Sequence, residues 1–282
     1  LKHLRFILLL RLTLILLLIG NQSEFKNMDK SKMPAGPKRY KMTIAYDGTN
    51  YSGWQVQPRK TTVQGEIERV IEQLTGKHIR IHHSGRTDAG VHAKGQTAHF
   101  DLKEPVDPGL FMNGLNGLLP PDVRIMKFEA VCPDFNARYD AVSKEYRYFI
   151  WNGPAVPPEL RLYRLHERRR LDIEAMKKAA SQLVGRHDFA AFTANPHREI
   201  GGTVKTIRKL TVTRTREGDV TICVVGEGFL YKMVRSIAGF LLRVGIGELK
   251  NEDSTRFLKA GMRTNEVPTA KAIGLFLWRV DY

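Results

Sequence analysis

Cysteine is almost missing from this chain: 282 residues hold two, Cys132 and Cys223, far apart. That excludes a disulfide framework and a CxxC metal knuckle, and two free, buried thiols in a reducing compartment are expected. Nucleotide-binding signatures are missing too. Gly226-Glu-Gly228 and Gly245-Ile-Gly247 lack the rest of any dinucleotide or P-loop motif. No internal sequence repeat is present, which excludes a solenoid. Long apolar runs are scarce. Phe6 to Ile19 is broken by Arg11 and Thr13 and falls short of the roughly 20 residues that cross a bilayer. Lys2 and Arg5 before it resemble a signal peptide, but Gly20-Asn-Gln-Ser23 is a poor cleavage site. The first residue is Leu, and Met28 and Met33 stand just before the first strand-like segment. Residues 1–37 are therefore expected to be a misplaced start outside the fold, and the protein to be cytoplasmic and off the membrane.

Acidic residues are in deficit. Asp and Glu number 29 against 45 Lys and Arg, a net charge of +16. Lys2, Arg5, Arg11 and Lys26 against Glu24 give the first 27 residues +3 and leave +13 on residues 28–282. Such a surplus attracts a polyanion, because each phosphate neutralised releases counterions. Nucleic acid leads, an anionic membrane surface follows, and charge kept for solubility is the plain alternative. With 42% hydrophobic residues the chain can bury a real core.

Periodicity supplies the elements. Tyr40, Met42, Ile44 and Tyr46 alternate as a strand. Val63, Ile67, Val70, Ile71 and Leu74 have helical spacing, with Thr61 and Gln64 as a capping box and Gly76 as the stop. Strands are predicted over 78–82, 96–102 and 123–130, and a helix over 108–118. A similar order then recurs: a strand over 144–151, a linker-like insert from Pro154, the charge run Glu167 to Arg170, and a helix capped by Asp172 and stopped by Gly185. Strands over 203–213 and 220–225, an apolar helix over 229–244 and a strand over 273–282 close the chain. The order reads as an α+β fold in two halves, 38–142 and 143–282.

Three features bear on chemistry. In Ser84-Gly-Arg-Thr-Asp-Ala-Gly90, two glycines bracket Arg86, Thr87 and Asp88, so the segment is a tight exposed turn. An arginine near an aspartate keeps the carboxylate ionised and oriented for nucleophilic or base chemistry; a locally hydrogen-bonded Asp-turn is the competing explanation. Lys232, Arg235, Gly239 and Arg243 recur at helical spacing, either facing a phosphate-bearing groove or snorkelling at a surface. Tyr146 and Tyr148 share a strand face, either as base-stacking rings or as ordinary packing. His78, His82, His83, His92 and His99 cluster in sequence, but at spacings that fit no zinc motif, and no metal is expected.

Six motifs in order resemble the TruA family of tRNA pseudouridine synthases. They are Tyr46-Asp-Gly48 with Tyr51-Ser-Gly-Trp-Gln55; Gly85-Arg-Thr-Asp-Ala-Gly-Val-His92; Phe135-Asn-Ala-Arg138 with Lys144-Glu-Tyr-Arg-Tyr148; His187-Asp-Phe-Ala-Ala-Phe192; Gly228-Phe-Leu-Tyr-Lys-Met-Val-Arg235 with Gly239; and Gly274-Leu275 with Val280-Asp-Tyr282. The resemblance runs from about Arg39 to Tyr282. It implies two RRM-like, ferredoxin-like halves joined by a continuous, mostly antiparallel sheet with a basic central cleft, and a homodimer. It implies a cofactor-free isomerase that converts uridine to pseudouridine at positions 38, 39 and 40 of the tRNA anticodon arm. Asp88 matches the catalytic aspartate, Tyr146 the tyrosine that stacks on the target base, Arg86 the arginine that helps extrude the uridine, and Arg235 a basic partner of the aspartate. The chain departs from the family in its apolar N-terminal extension and in Lys271, where proline is common. A non-catalytic RNA-binding protein, or a synthase acting on another RNA site, would share the charge and the aromatics.

Overall fold

Alternation on one strand sets the buried face of the sheet. In the computed structural model, which describes residues 38–195 and 202–282, β1 (Lys38–Tyr46) buries Tyr40, Met42, Ile44 and Tyr46 and leaves the residues between them partly exposed. The expected extension 1–37 lies outside the described residues. The first half continues with α1 (Val63–Thr75), β2 (His82–His83), β3 (His92–Leu102), α2 (Pro108–Leu118) and β4 (Val123–Val131). Then come β5 (Ser143–Trp151), β6 (Leu165–His166), α3 (Ile173–Ser181), β7 (Gly185–Asp188), β8 (Val204–Arg214), β9 (Asp219–Gly226), α4 (Met233–Gly245), α5 (Asp253–Ala260) and β10 (Leu275–Asp281).

All ten strands form one sheet in the order β4-β1-β3-β10-β5-β9-β8-β7, with β2 on β3 and β6 on β5. Only the β3–β10 and β5–β6 pairs are parallel. The fold is thus α+β with a large, mostly antiparallel sheet. β10 sits at its centre: Leu277 faces Ala93 of β3 on one side and Tyr146 of β5 on the other. One apolar cluster runs under the whole sheet, from Tyr40 and Ile67 to Ile222, Phe240 and Phe257.

Helix ends follow local chemistry. The Asp107 carboxylate accepts from Leu110 N–H and that of Asp172 from Ala175 N–H. At α1 the cap is Thr62, whose hydroxyl accepts from Gly65 N–H, one residue later than expected. Leu74, expected inward, is more than a third exposed. α3 ends at Ser181, before Gly185, which opens β7 instead. The strand expected over 78–82 shrinks to His82–His83, and β3 starts at His92, with both of its faces largely buried. The apolar helix begins at Met233 rather than 229, because Lys232 takes a left-handed conformation at φ 59° and breaks the turn. Cys132 is exposed and Cys223 partly exposed, so neither is the buried thiol expected. Among the described residues no helix is long and apolar enough to cross a membrane.

Candidate active site

The Asp88 loop is pinned along its length. Ser84 N–H donates to Thr97 O at 2.9 Å, and the Gln96 amide donates to Gly85 O at 2.7 Å. The hydroxyls of Tyr46 and Thr87 bond at 2.8 Å in the core, and Trp54 N–H donates to Thr87 O at 3.1 Å. A neighbouring backbone makes this fit possible: at Gly53, φ is +92° and a Cβ would stand 2.7 Å from Thr87 O. The motif around Trp54 therefore buttresses the loop. Its small and aromatic residues serve backbone approach and packing.

Asp88 is a quarter exposed, and its Oδ2 accepts from Arg235 Nη1 at 2.7 Å. Arg235 comes from the first turn of α4 and is itself fixed. Its Nε donates to Ala270 O at 2.8 Å, while its carbonyl accepts from Ala270 N–H at 3.0 Å. Asp88 Oδ1 makes no hydrogen bond among the described residues. One oxygen is thus gripped and the other is left unbonded among the described residues.

Tyr146 lies across β10 from β3, two strand spacings or about 9–10 Å away. Its ring packs edge-on against Phe229 at 5.2 Å, and it is 8% exposed. Burial and then the Asp88 charge push its phenol upward, so the hydroxyl keeps its proton. Phe229, inside the Gly228–Arg235 motif, is a site residue that spacing alone gives no reason to single out.

The structure separates some residues that sequence proximity joined. Arg86 is exposed and reaches only Gln55 Oε1, at 3.4 Å; it does not pair with Asp88. Tyr148 is fully buried and donates to Lys271 O at 2.8 Å, so it is core rather than a stacking ring. The stripe on α4 faces protein. Arg235 goes to Asp88, a Cβ on Gly239 would stand 2.3 Å from Pro268 O, and Arg243 reaches Glu266 O and Glu248. Lys232 stands at the N-cap of α4 in a left-handed conformation, outside the helical turns. The histidines scatter: His82 stacks on His99, His83 meets Trp54, and His92 packs between Phe276 and Tyr163. Among the described residues no three His, Cys, Asp or Glu side chains are placed to hold a metal ion.

The loop thus presents a carboxylate with one oxygen clamped by Arg235, and the core holds that loop in place. Sequence comparison gives the family. A family model described as tRNA pseudouridine synthase matches residues 42–140 and 179–282, and the chain belongs to that family. The chain is 42% identical over 246 residues to tRNA pseudouridine synthase A 1 of Protochlamydia amoebophila, covering 86% of this chain and 96% of that protein. It is 43% identical to tRNA pseudouridine synthase A of Limosilactobacillus reuteri over 249 residues (86% and 96%) and to that of Bacillus licheniformis over 246 (86% and 99%).

Proposed function

We propose that this protein isomerises uridine to pseudouridine in tRNA, with Asp88 as the nucleophile and positions 38, 39 and 40 of the anticodon arm as targets. The observation that carries the reading is the Asp88 carboxylate, held through Oδ2 by Arg235 and open at Oδ1, in a chain of this family. The reaction breaks the bond from uracil N1 to ribose C1′, turns the base while it is held, and joins C5 to C1′. A proton leaves C5 and one is gained at N1. Nothing is oxidised or hydrolysed, so the chemistry calls for no cofactor.

A base in a stem must first leave its stack, at a cost of a few kcal/mol. Arg86, exposed on the loop two residues before Asp88, fills the vacated space in this reading. Tyr146 offers a ring edge-packed on Phe229 and a protonated hydroxyl near the carboxylate; stacking of this kind is worth about 1–3 kcal/mol per base. Arg235 holds and aims Asp88 through Oδ2. In this reading 38–142 and 143–282 are two RRM-like halves. The surplus of Lys and Arg lines a basic cleft between them, and the protein acts as a homodimer in the cytoplasm.

Mass-resolved mapping of pseudouridine in unmodified tRNA transcripts tests this. The full chain should convert uridine in the anticodon arm only. Asp88→Asn, similar in size but uncharged, should lose turnover while still binding tRNA. Arg235→Ala should bind and convert at least 100-fold more slowly, roughly the effect of misplacing a reacting group. Turnover by Asp88→Asn would remove it as nucleophile. Tight binding without conversion by the wild type would make the chain an RNA-binding protein, and conversion elsewhere would move the target.

A further inference from the structure

Beside the Asp88 loop, positive charge collects without a counter-ion. Lys144 stands two residues before Tyr146 on β5. Its Nζ donates to Ser84 O at 2.6 Å and lies 3.5 Å from where a Cβ on Gly85 would be. Burial and then the charge of Arg138 push this ammonium down to about 8. Arg138 belongs to the turn between β4 and β5, and that turn is rigid. Asn136 Oδ1 accepts from the N–H groups of Arg138 and Tyr139, and Asp140 Oδ2 accepts from Asn136 N–H. Ala137 donates to His99 Nδ1 at 3.1 Å and accepts from the Tyr282 hydroxyl at 2.8 Å.

The Arg138 side chain is exposed and, among the described residues, meets the ring of Tyr139 at 5.7 Å; that ring is itself 78% exposed. His83 sits among Arg86, Arg138 and Lys144. Burial first, then these three charges, push its imidazole down to about 4, so it adds no charge near neutral pH. Among the described residues no carboxylate pairs with any of the three cations. Asp88 is taken by Arg235, and Asp140 is used on the Asn136 backbone. A half-buried ammonium facing like charges is costly, and an anion relieves both the burial and the repulsion.

We propose that Arg138 and Lys144, with Arg86 at the rim, form a subsite for one RNA backbone phosphate adjoining the uridine handled at Asp88. Lys144 and Tyr146 point to the same face of β5, about 6–7 Å apart along the strand. The subsite therefore fixes the register of the RNA relative to the base site. Arg138 supplies an exposed fork for two phosphate oxygens, Lys144 a fixed point charge beneath, and Tyr139 a ring for a neighbouring base. The identity of the anion as RNA rests on the function proposed above; the cation cluster does not.

Arg138→Gln tests it without risk to folding, since the side chain is exposed and its turn is held by backbone and Asn136 contacts. Binding of unmodified tRNA transcripts is measured across a salt series. The variant should bind about 5–10-fold more weakly near 0.15 M salt, with a slope of log K against log salt shallower by about 0.7–0.9, one phosphate contact. Anticodon stem-loops carrying one neutral methylphosphonate at successive linkages around the target uridine locate the contact. At one linkage the wild type should weaken to the level of the variant, and the variant should lose nothing further. An unchanged slope for Arg138→Gln would overturn the subsite. A loss spread equally over all linkages would overturn its place beside the uridine. Wild-type protein that binds RNA but converts no uridine would sink the proposed function, while the salt slope would still decide the subsite.

Discussion

Asp88 is legible in the sequence as a chemical group but not as a site. Two glycines around an Arg-Thr-Asp segment announce an exposed turn, and the nearest cation in sequence is Arg86. Folding gives the carboxylate instead to Arg235, and sends Arg86 outward to Gln55. Proximity along a chain is a poor guide to ion pairs once a turn aims side chains apart; only the family resemblance pointed to Arg235. His83 was invisible for the same reason. It looked like one of a histidine cluster, yet it is enclosed beside Trp54 with a buried, unpartnered Nδ1 and pushed down to about 4. The unfolded chain takes up a proton near the ordinary value of about 6.5 that the folded chain refuses until about pH 4. Stability should therefore fall as pH drops from about 6.5 and level off below about 4, by roughly 2–3 kcal/mol for this residue. His99, also pushed down to about 4, acts in the same direction. Urea unfolding at pH 7.5, 5.5 and 4.5 checks this. His83→Gln should flatten the slope, and equal slopes in both proteins would refute the assignment.

Element boundaries were legible wherever a single local rule governs. Pro108 and Asp172 mark helix starts as expected. The start of α4 was not legible, because 229–232 is apolar enough to pass for helix while Lys232 in fact turns left-handed. β6, β7 and α5 carry too few periodic residues to stand out from coil. The cationic stripe on α4 was real in spacing and different in purpose: it anchors the segment that runs from Arg263 to Ala270. Gly239 is central to that contact. In Gly239→Ala the new methyl meets Pro268 O and must push the segment away. A loss of about 1–3 kcal/mol is expected, or about 3–10 °C in midpoint. Because Ala270 also holds Arg235 at both its backbone and its side chain, the rate should fall more than stability alone would explain. Calorimetry beside single-turnover rates on folded protein tests this; a rate unchanged after the thermal loss would separate the helix contact from the site.

At the scale of the whole molecule, the alternation of strands and helices gave α+β, but nothing in periodicity says that β10 is central. A closing strand could as easily have lain at an edge. Its place between β3 and β5 makes Leu277 a fully buried keystone between the strand that follows the Asp88 loop and the strand bearing Tyr146. Leu277→Ala should cost about 2–5 kcal/mol and lower the midpoint by roughly 5–15 °C. It should impair conversion while leaving RNA affinity largely intact. Equal losses in affinity and rate would argue against the strand's role as spacer. The same placement has a consequence for biosynthesis. Both halves of the sheet emerge from the ribosome before their shared central strand, so each presents an open inner edge until residues 275–281 follow. A nascent chain can carry Asp88, Arg86 and Tyr146 and still lack the strand that sets β3 beside β5. Until translation reaches the tenth strand, those two bare edges are where a stalled chain is most exposed to wrong pairing.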